Sequence, residues 1–165
     1  MTERAWSEDI ERILETEGLF VSTTSGTSMW PMLRDRRDTI IIRPIADVRP
    51  DGVLHKYDVP LYRRETDGAY VLHRVIGVSG ARSETRYVIR GDNTYTPEYV
   101  RPDQVIGVLS DCYRGNRRID LGGRPYRLYV RCWVAIYPIR HCCRLLRGAL
   151  ARTPLKGLYR ACTGR

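Results

Sequence analysis

Three short segments of the chain hold the residue types that turn a serine into a nucleophile. Ser28 lies in Gly26-Thr27-Ser28-Met29-Trp30-Pro31, His73 in Leu72-His73-Arg74-Val75-Ile76, and Asp92 in Gly91-Asp92-Asn93. A serine hydroxyl attacks a carbonyl poorly at neutral pH unless a neighbour takes its proton. Histidine, with an unperturbed pKa of about 6.5, suits that task, and a carboxylate can orient its ring. Gly26 permits a sharp turn before the serine, and amides exposed in such a turn, around Thr27 and Met29, can stabilise an oxyanion. Pro31 fixes the exit and keeps a helix from running through it. Singly, each segment has a plainer reading: Ser28 as a turn residue, His73 as a satisfied core histidine, Asp92-Asn93 as a hairpin turn.

In order, spacing and flanking residues, the three segments together resemble the boxes of the signal peptidase superfamily, whose soluble relatives include the self-cleaving domains of SOS-type repressors. The resemblance covers about residues 22–110. Ser28 matches the nucleophile of a Gly-x-Ser-Met-x-Pro box, and Arg36-Arg37-Asp38-Thr39-Ile40-Ile41-Ile42 resembles the strand that follows it. His73 stands where the bacterial enzymes and repressors carry lysine, as in the endoplasmic-reticulum and archaeal type. Val88-Ile89-Arg90-Gly91-Asp92-Asn93 resembles the last box, with Arg90 in place of its lysine.

Two departures shape what the resemblance implies. Membrane signal peptidases place a second serine hydroxyl where this chain has Gly26, so the implied oxyanion hole is the repressor kind, made of backbone amides. The aspartate that the reticulum type uses as its third catalytic residue falls on Glu98. By that position Glu98 orients His73 and Asp92 shapes its own loop, with Asp92 as the alternative orienter. The resemblance also implies small residues just before the scissile bond, and neither metal nor cofactor.

The elements that must position these residues can be read in outline. Ser7, Glu8 and Asp9 precede Ile10, Ile13 and Leu14 at helical spacing, and Gly18 follows, which predicts a short helix capped by Ser7. Strand signals then cover Thr39 to Arg43, Val53 to Tyr62, Tyr70 to Val78, Arg86 to Arg90 and Val105 to Asp111, with turn residues such as Asp67-Gly68 between them. Strands with few intervening helices predict a mainly β, antiparallel coiled-β core with a short N-terminal helix and a C-terminal helical basic tail. The expected division is 1–22 for the N-terminal helix and lead-in, 23–122 for the peptidase-like core, and 123–165 for the tail.

Composition sets further bounds. At 165 residues the chain suits one core built without disulfides. No 18-residue stretch is free of charge and the N-terminus is charged, so neither a membrane span nor a leader is expected. Cys112, Cys132, Cys142, Cys143 and Cys162 lack C-x-x-C spacing, and His141-Cys142-Cys143 would diverge on a helix, so reduced thiols are expected, not a disulfide framework or zinc site. Ten of the 28 basic residues and none of the 19 acidic ones lie between Arg124 and Arg165, so the net charge of +9 resides in the tail. Pro138 can start a helix with Ile139, Cys142, Cys143, Leu146, Ala149 and Leu150 on one face and Arg140, Arg144 and Arg147 on another. Such a helix suits an anionic membrane surface, or equally packs its apolar face on the β core.

The resulting expectation is a cytoplasmic, possibly membrane-peripheral serine endopeptidase. It would cleave a leader or signal-like peptide held extended beside the active-site strands, through Ser28, His73 and a helping carboxylate. The alternatives are self-cleavage of the repressor kind, or a non-catalytic peptide- or membrane-binding module of the same fold. No nucleic-acid partner is expected, because the tail carries no recognisable module.

Overall fold

A computed structural model of the chain describes residues 3–80 and 85–150. The chain divides into two compact units, Met1–Arg127 and Leu128–Arg165. The first holds helix α1 (Glu3–Glu17), strands β1 (Phe20–Thr23) and β2 (Asp38–Arg43), a single turn of helix α2 (Ile45–Val48), and strands β3 (Pro60–Arg63), β4 (Tyr70–Leu72), β5 (Arg74–Ser79), β6 (Arg86–Arg90), β7 (Glu98–Val100), β8 (Val105–Arg114) and β9 (Arg117–Ile119). Helix α3 (Arg124–Ala135) leads into the second unit, which continues with α4 (Tyr137–Leu150). The boundary falls inside α3; Tyr126, in the first turn of that helix, is tied to the first unit by the hydrogen bond its hydroxyl accepts from Arg74.

The first unit is a mainly antiparallel β structure. Six strands form one sheet in the order β1-β2-β8-β3-β4, with β9 added on β8, and β5-β6-β7 form a second. Every pairing is antiparallel. The two sheets share a core of Leu54, Tyr62, Val75, Tyr87, Ile89, Val100 and Val108, in which Tyr62 of β3 and Val108 of β8 join Val75 of β5, Tyr87 and Ile89 of β6 and Val100 of β7. Burial of that apolar surface is what fixes the register of each strand.

Several elements differ from expectation for local reasons. The apolar run Tyr70 to Val78 is two strands, because the chain leaves one sheet after Leu72 and joins the other at Arg74; His73 is the single residue between them. The segment Val53 to Val59 is not strand. Tyr57 sits at a φ of +85°, and the Asp58 carboxylate accepts the His55 N–H at 2.8 Å and pairs with Arg49, a local bonding that competes with a ladder. Val75 N–H donates to the Asp58 carbonyl and Tyr57 N–H to the Val75 carbonyl, both at 2.8 Å, which pins the start of β5 to this loop. β1, β7 and β9 are additional strands of three or four residues.

Ser7 lies within α1, not at its cap. The helix ends where Gly18, at a φ of +70°, donates its N–H to the Leu14 carbonyl at 3.1 Å. That left-handed closure is one glycine adopts without steric cost.

In the second unit the apolar run after Leu128 continues α3, and α4 begins at Tyr137 with Pro138 in its first turn, where the missing N–H costs nothing. Val130 is buried, whereas Leu128, Ile139, Leu145 and Leu146 are exposed. Cys132, Cys142 and Cys143 are exposed thiols and Cys112 is a buried one; Cys162 and the side chain of Leu150 lie outside the described residues. Among the described residues, no helix is long and apolar enough to cross a membrane.

Candidate active site

Ser28 sits on the loop between β1 and β2, half-buried, with Met29 buried behind it. The loop is held from several sides. Gly26, at a φ of +89°, donates its N–H to Asp35 at 2.7 Å, Trp30 N–H closes a turn on the Thr27 carbonyl at 3.1 Å, and the Trp30–Pro31 peptide is cis. Fully buried Asp38, the first residue of β2, accepts the Arg34 N–H at 2.9 Å and two hydrogen bonds from Arg114 of β8. Burial alone would raise the Asp38 carboxyl; Arg114 and the Arg34 amide outweigh it and hold the group below the usual carboxylate range.

The turn Gly91–Thr94 docks on this loop. Asn93 N–H donates to the Ser28 carbonyl at 2.7 Å, and Asn93 Nδ2 to the Thr27 carbonyl at 3.2 Å. Gly91 lies where the two segments meet: a Cβ there would stand 2.7 Å from the Ser28 carbonyl oxygen and 3.0 Å from His73 Nε2. The residue must therefore be glycine because of close approach, not backbone angle. Both the Ser28 backbone and the Nε2 edge of His73 thus lie close to Gly91.

The other edge of the His73 ring faces a carboxylate. Nδ1 lies 3.5 Å from Glu98 Oε1 and 3.3 Å from the Tyr62 hydroxyl, itself a hydrogen-bond partner of Glu98. Strand order explains the meeting. Val75 pairs with Ile89 and Ile89 with Glu98, so β7 brings Glu98 across β6 from the strand that His73 precedes. Along β7, Glu98 shares a face with buried Val100 while Tyr99 points to solvent, the alternation of a strand covered on one side. Arg64 holds the carboxylate through Nε at 2.9 Å and a second nitrogen at 3.3 Å. Beside it, a groove of about 380 Å³ is lined by Tyr62, Arg64, Pro97 and Glu98 among others.

Asp92 is occupied elsewhere. Its two oxygens accept hydrogen bonds from Arg74 at 2.7 and 2.8 Å, in a pair of almost fully buried side chains. Arg74 also reaches the Tyr57 carbonyl, the Tyr126 hydroxyl and Met32 Sδ, so one guanidinium ties β5, the Gly91–Thr94 turn, the start of α3 and the end of the serine loop.

Electrostatically, burial pushes His73 below the ordinary imidazole value, against the opposing charge of Glu98. Burial, then the nearby carboxylate, pushes the Tyr62 phenol up. At neutral pH the histidine is thus a neutral base beside a neutral phenol. Among the described residues, no hydrogen bond joins Ser28 Oγ to His73. The segments around Ser28, His73, Asp92 and Glu98 all converge here, and so do Arg74 and Asn93, which belong to those segments without a role read for them, and Tyr62 and Arg64, which no motif marked. Only Arg74 and Asn93 had a signal in the sequence, as immediate neighbours of His73 and Asp92.

No family model matches the sequence, and no curated protein matches it significantly.

Proposed function

We propose that the chain is a serine endopeptidase in which Ser28 is the nucleophile, His73 the base and Glu98 its orienter. One observation carries the reading: the two edges of a buried imidazole face two different partners, Tyr62 and Glu98 at Nδ1 and the Gly91–Ser28 junction at Nε2. A proton on Nδ1, shared with the Tyr62 oxygen while the phenol donates to Glu98, leaves Nε2 as the free acceptor on the serine side. That is the tautomer a general base requires.

The chemistry follows. Ser28 Oγ attacks the scissile carbonyl as Nε2 takes its proton. The turn's own hydrogen bonds use the N–H groups of Gly26 and Trp30, and those of Thr27, Ser28 and Met29 enter none of them, which suits a backbone oxyanion hole. His73 then protonates the leaving amine, and water hydrolyses the acyl-enzyme by the same path in reverse. The serine–histidine hydrogen bond forms with substrate in place, as such contacts commonly tighten only in the complex. Asp92 belongs to the scaffold through Arg74. The substrate class suggested by the sequence resemblance is an extended leader-like peptide with small residues before the cut.

The test is incubation with a mixture of peptides and location of cuts by mass spectrometry. Cleavage that disappears in Ser28→Ala supports the reading. Peptide binding without cleavage in the wild type would instead make the chain a binding module.

A further inference from the structure

Apolar residues lie on two sides of α3 and α4, and among the described residues only one of those sides holds a buried side chain, Val130 of α3. Val130 is 2 % exposed, with Trp133 and Tyr137 half-buried along the same side. On the opposite side Leu128, Cys132, Ile136, Ile139, Cys143 and Leu146 recur at steps of four, four, three, four and three residues, the spacing of one helix face. All six are exposed, Leu128, Ile139 and Leu146 by 64, 66 and 62 %. The stripe runs through the junction at Ile136 without losing phase, because Ile136 N–H still bonds the Cys132 carbonyl and Arg140 N–H the Ile136 carbonyl, at 2.9 and 3.1 Å. A helix that already buries one side has no need of a second apolar side for its own folding, and a stripe of this length is too continuous for scattered surface residues.

Charge says what covers it. Arg147 and Arg140 follow one edge of the stripe, with Arg144 further round the same flank, Arg131 lies on the other side, and no acidic residue occurs from Arg124 to Arg165. Arg140 is held with its guanidinium 3.8 Å above the Trp133 ring. Apolar side chains between long cationic ones, whose stems can lie along the acyl boundary while their heads stay at the headgroups, is the arrangement of a helix lying in a membrane interface. A second copy of the same surface would instead set arginines against arginines.

We infer that α3 and α4 form one interfacial element that docks the protein on an anionic lipid surface through the Leu128–Leu146 stripe. The inference does not depend on the catalytic reading, and its readout is binding. The full chain is floated with vesicles of phosphatidylcholine alone and of phosphatidylcholine mixed with phosphatidylglycerol. Each arginine near an anionic surface is worth about fivefold in partitioning, so the mixed vesicles should bind at least about tenfold more protein, and the excess should fall as salt is raised. Ile139→Glu with Leu146→Glu should abolish flotation, and Arg144→Glu with Arg147→Glu should remove the preference for anionic lipid. Both pairs are at exposed positions, so circular dichroism should match the wild type; if the glutamate pair misfolds, the milder Ile139→Ser with Leu146→Ser makes the same comparison. Absent flotation, equal flotation with neutral vesicles, or a lipid-free dimer that the same substitutions dissociate would overturn the inference.

Discussion

At the residue scale, two carboxylates near one histidine do different work, and the difference is measurable. Glu98 reaches Nδ1 but keeps some solvent contact, with 28 % of its side chain exposed, whereas Asp92 is sealed against Arg74. Removing one partner of a buried ion pair leaves an uncompensated charge and costs about 3–5 kcal/mol. Asp92→Asn should therefore lower the melting temperature by about 10 °C, while Glu98→Gln should melt near the wild type and lose about a hundredfold or more in kcat. Thermal melts beside peptide hydrolysis check both; an inactive but fully stable Asp92→Asn would exchange the roles. Tyr62→Phe removes the hydroxyl between ring and carboxylate, and a hydrogen bond to a charged group is worth about tenfold to a hundredfold in kcat with KM little changed. Because burial lowers the His73 pKa, kcat/KM should rise with pH through a midpoint below 6.5, the imidazole value in the unfolded chain. The sign for stability is the same. The unfolded state takes up a proton that folded His73 resists, so its contribution is complete above about pH 6.5 and is lost as pH falls toward the folded pKa. A rate profile whose acid limb lies above 6.5 would contradict the assignment of His73 as the base.

At the element scale, the site depends on a turn that docks on a loop. Gly91→Ala puts a methyl 2.7 Å from the Ser28 carbonyl, a distance real Cβ atoms do not tolerate, so the turn and the serine loop must separate. Such overpacking typically costs about 1–3 kcal/mol, and a displaced nucleophile should lose tenfold or more in kcat. Gly26→Ala is the control: it meets nothing within 4 Å and bears only the strain of its positive φ, so it should cost about 1 kcal/mol. The same elements show what could be read from residues in sequence. The strand Arg86–Arg90 coincides with its predicted bounds, since its alternation and its terminal glycine are local signals. The strand through Tyr70 to Val78 does not. Apolar residues continue across His73, and the change of sheet is fixed by partners far along the chain, Leu61 on one side and Ile89 on the other. For the same reason Tyr62 and Arg64 were not legible: they reach the site from β3 and its edge, and nothing in their own neighbourhood marks them. Helix α3 was not separately legible, because Val130, Trp133 and Val134, though at helical spacing, are β-branched or aromatic residues of low helix propensity.

At the scale of the whole molecule, the charge and the candidate chemistry are carried by different parts of the sequence. The excess of positive charge lies beyond Arg124, while Ser28, His73 and Glu98 all precede it. If the stripe on α3 and α4 holds the protein to lipid, its effect on catalysis should depend on where the substrate is. Enzyme and substrate confined to one surface meet at an effective concentration far above that in bulk, without any new contact at the site. Cleavage of a short soluble peptide should then be the same, within about twofold, for the wild type and for Ile139→Glu with Leu146→Glu. The same peptide carried on a lipid anchor in phosphatidylglycerol-containing vesicles should be cut at least about tenfold more slowly by the variant, and added salt should slow the wild type toward the variant's rate. Equal losses on both substrates would mean that the stripe acts through the fold, and equal retention on both would mean that surface binding does nothing for turnover. The comparison also separates the two proposals, because flotation without cleavage leaves the membrane surface standing and removes the peptidase, whereas cleavage without flotation does the reverse.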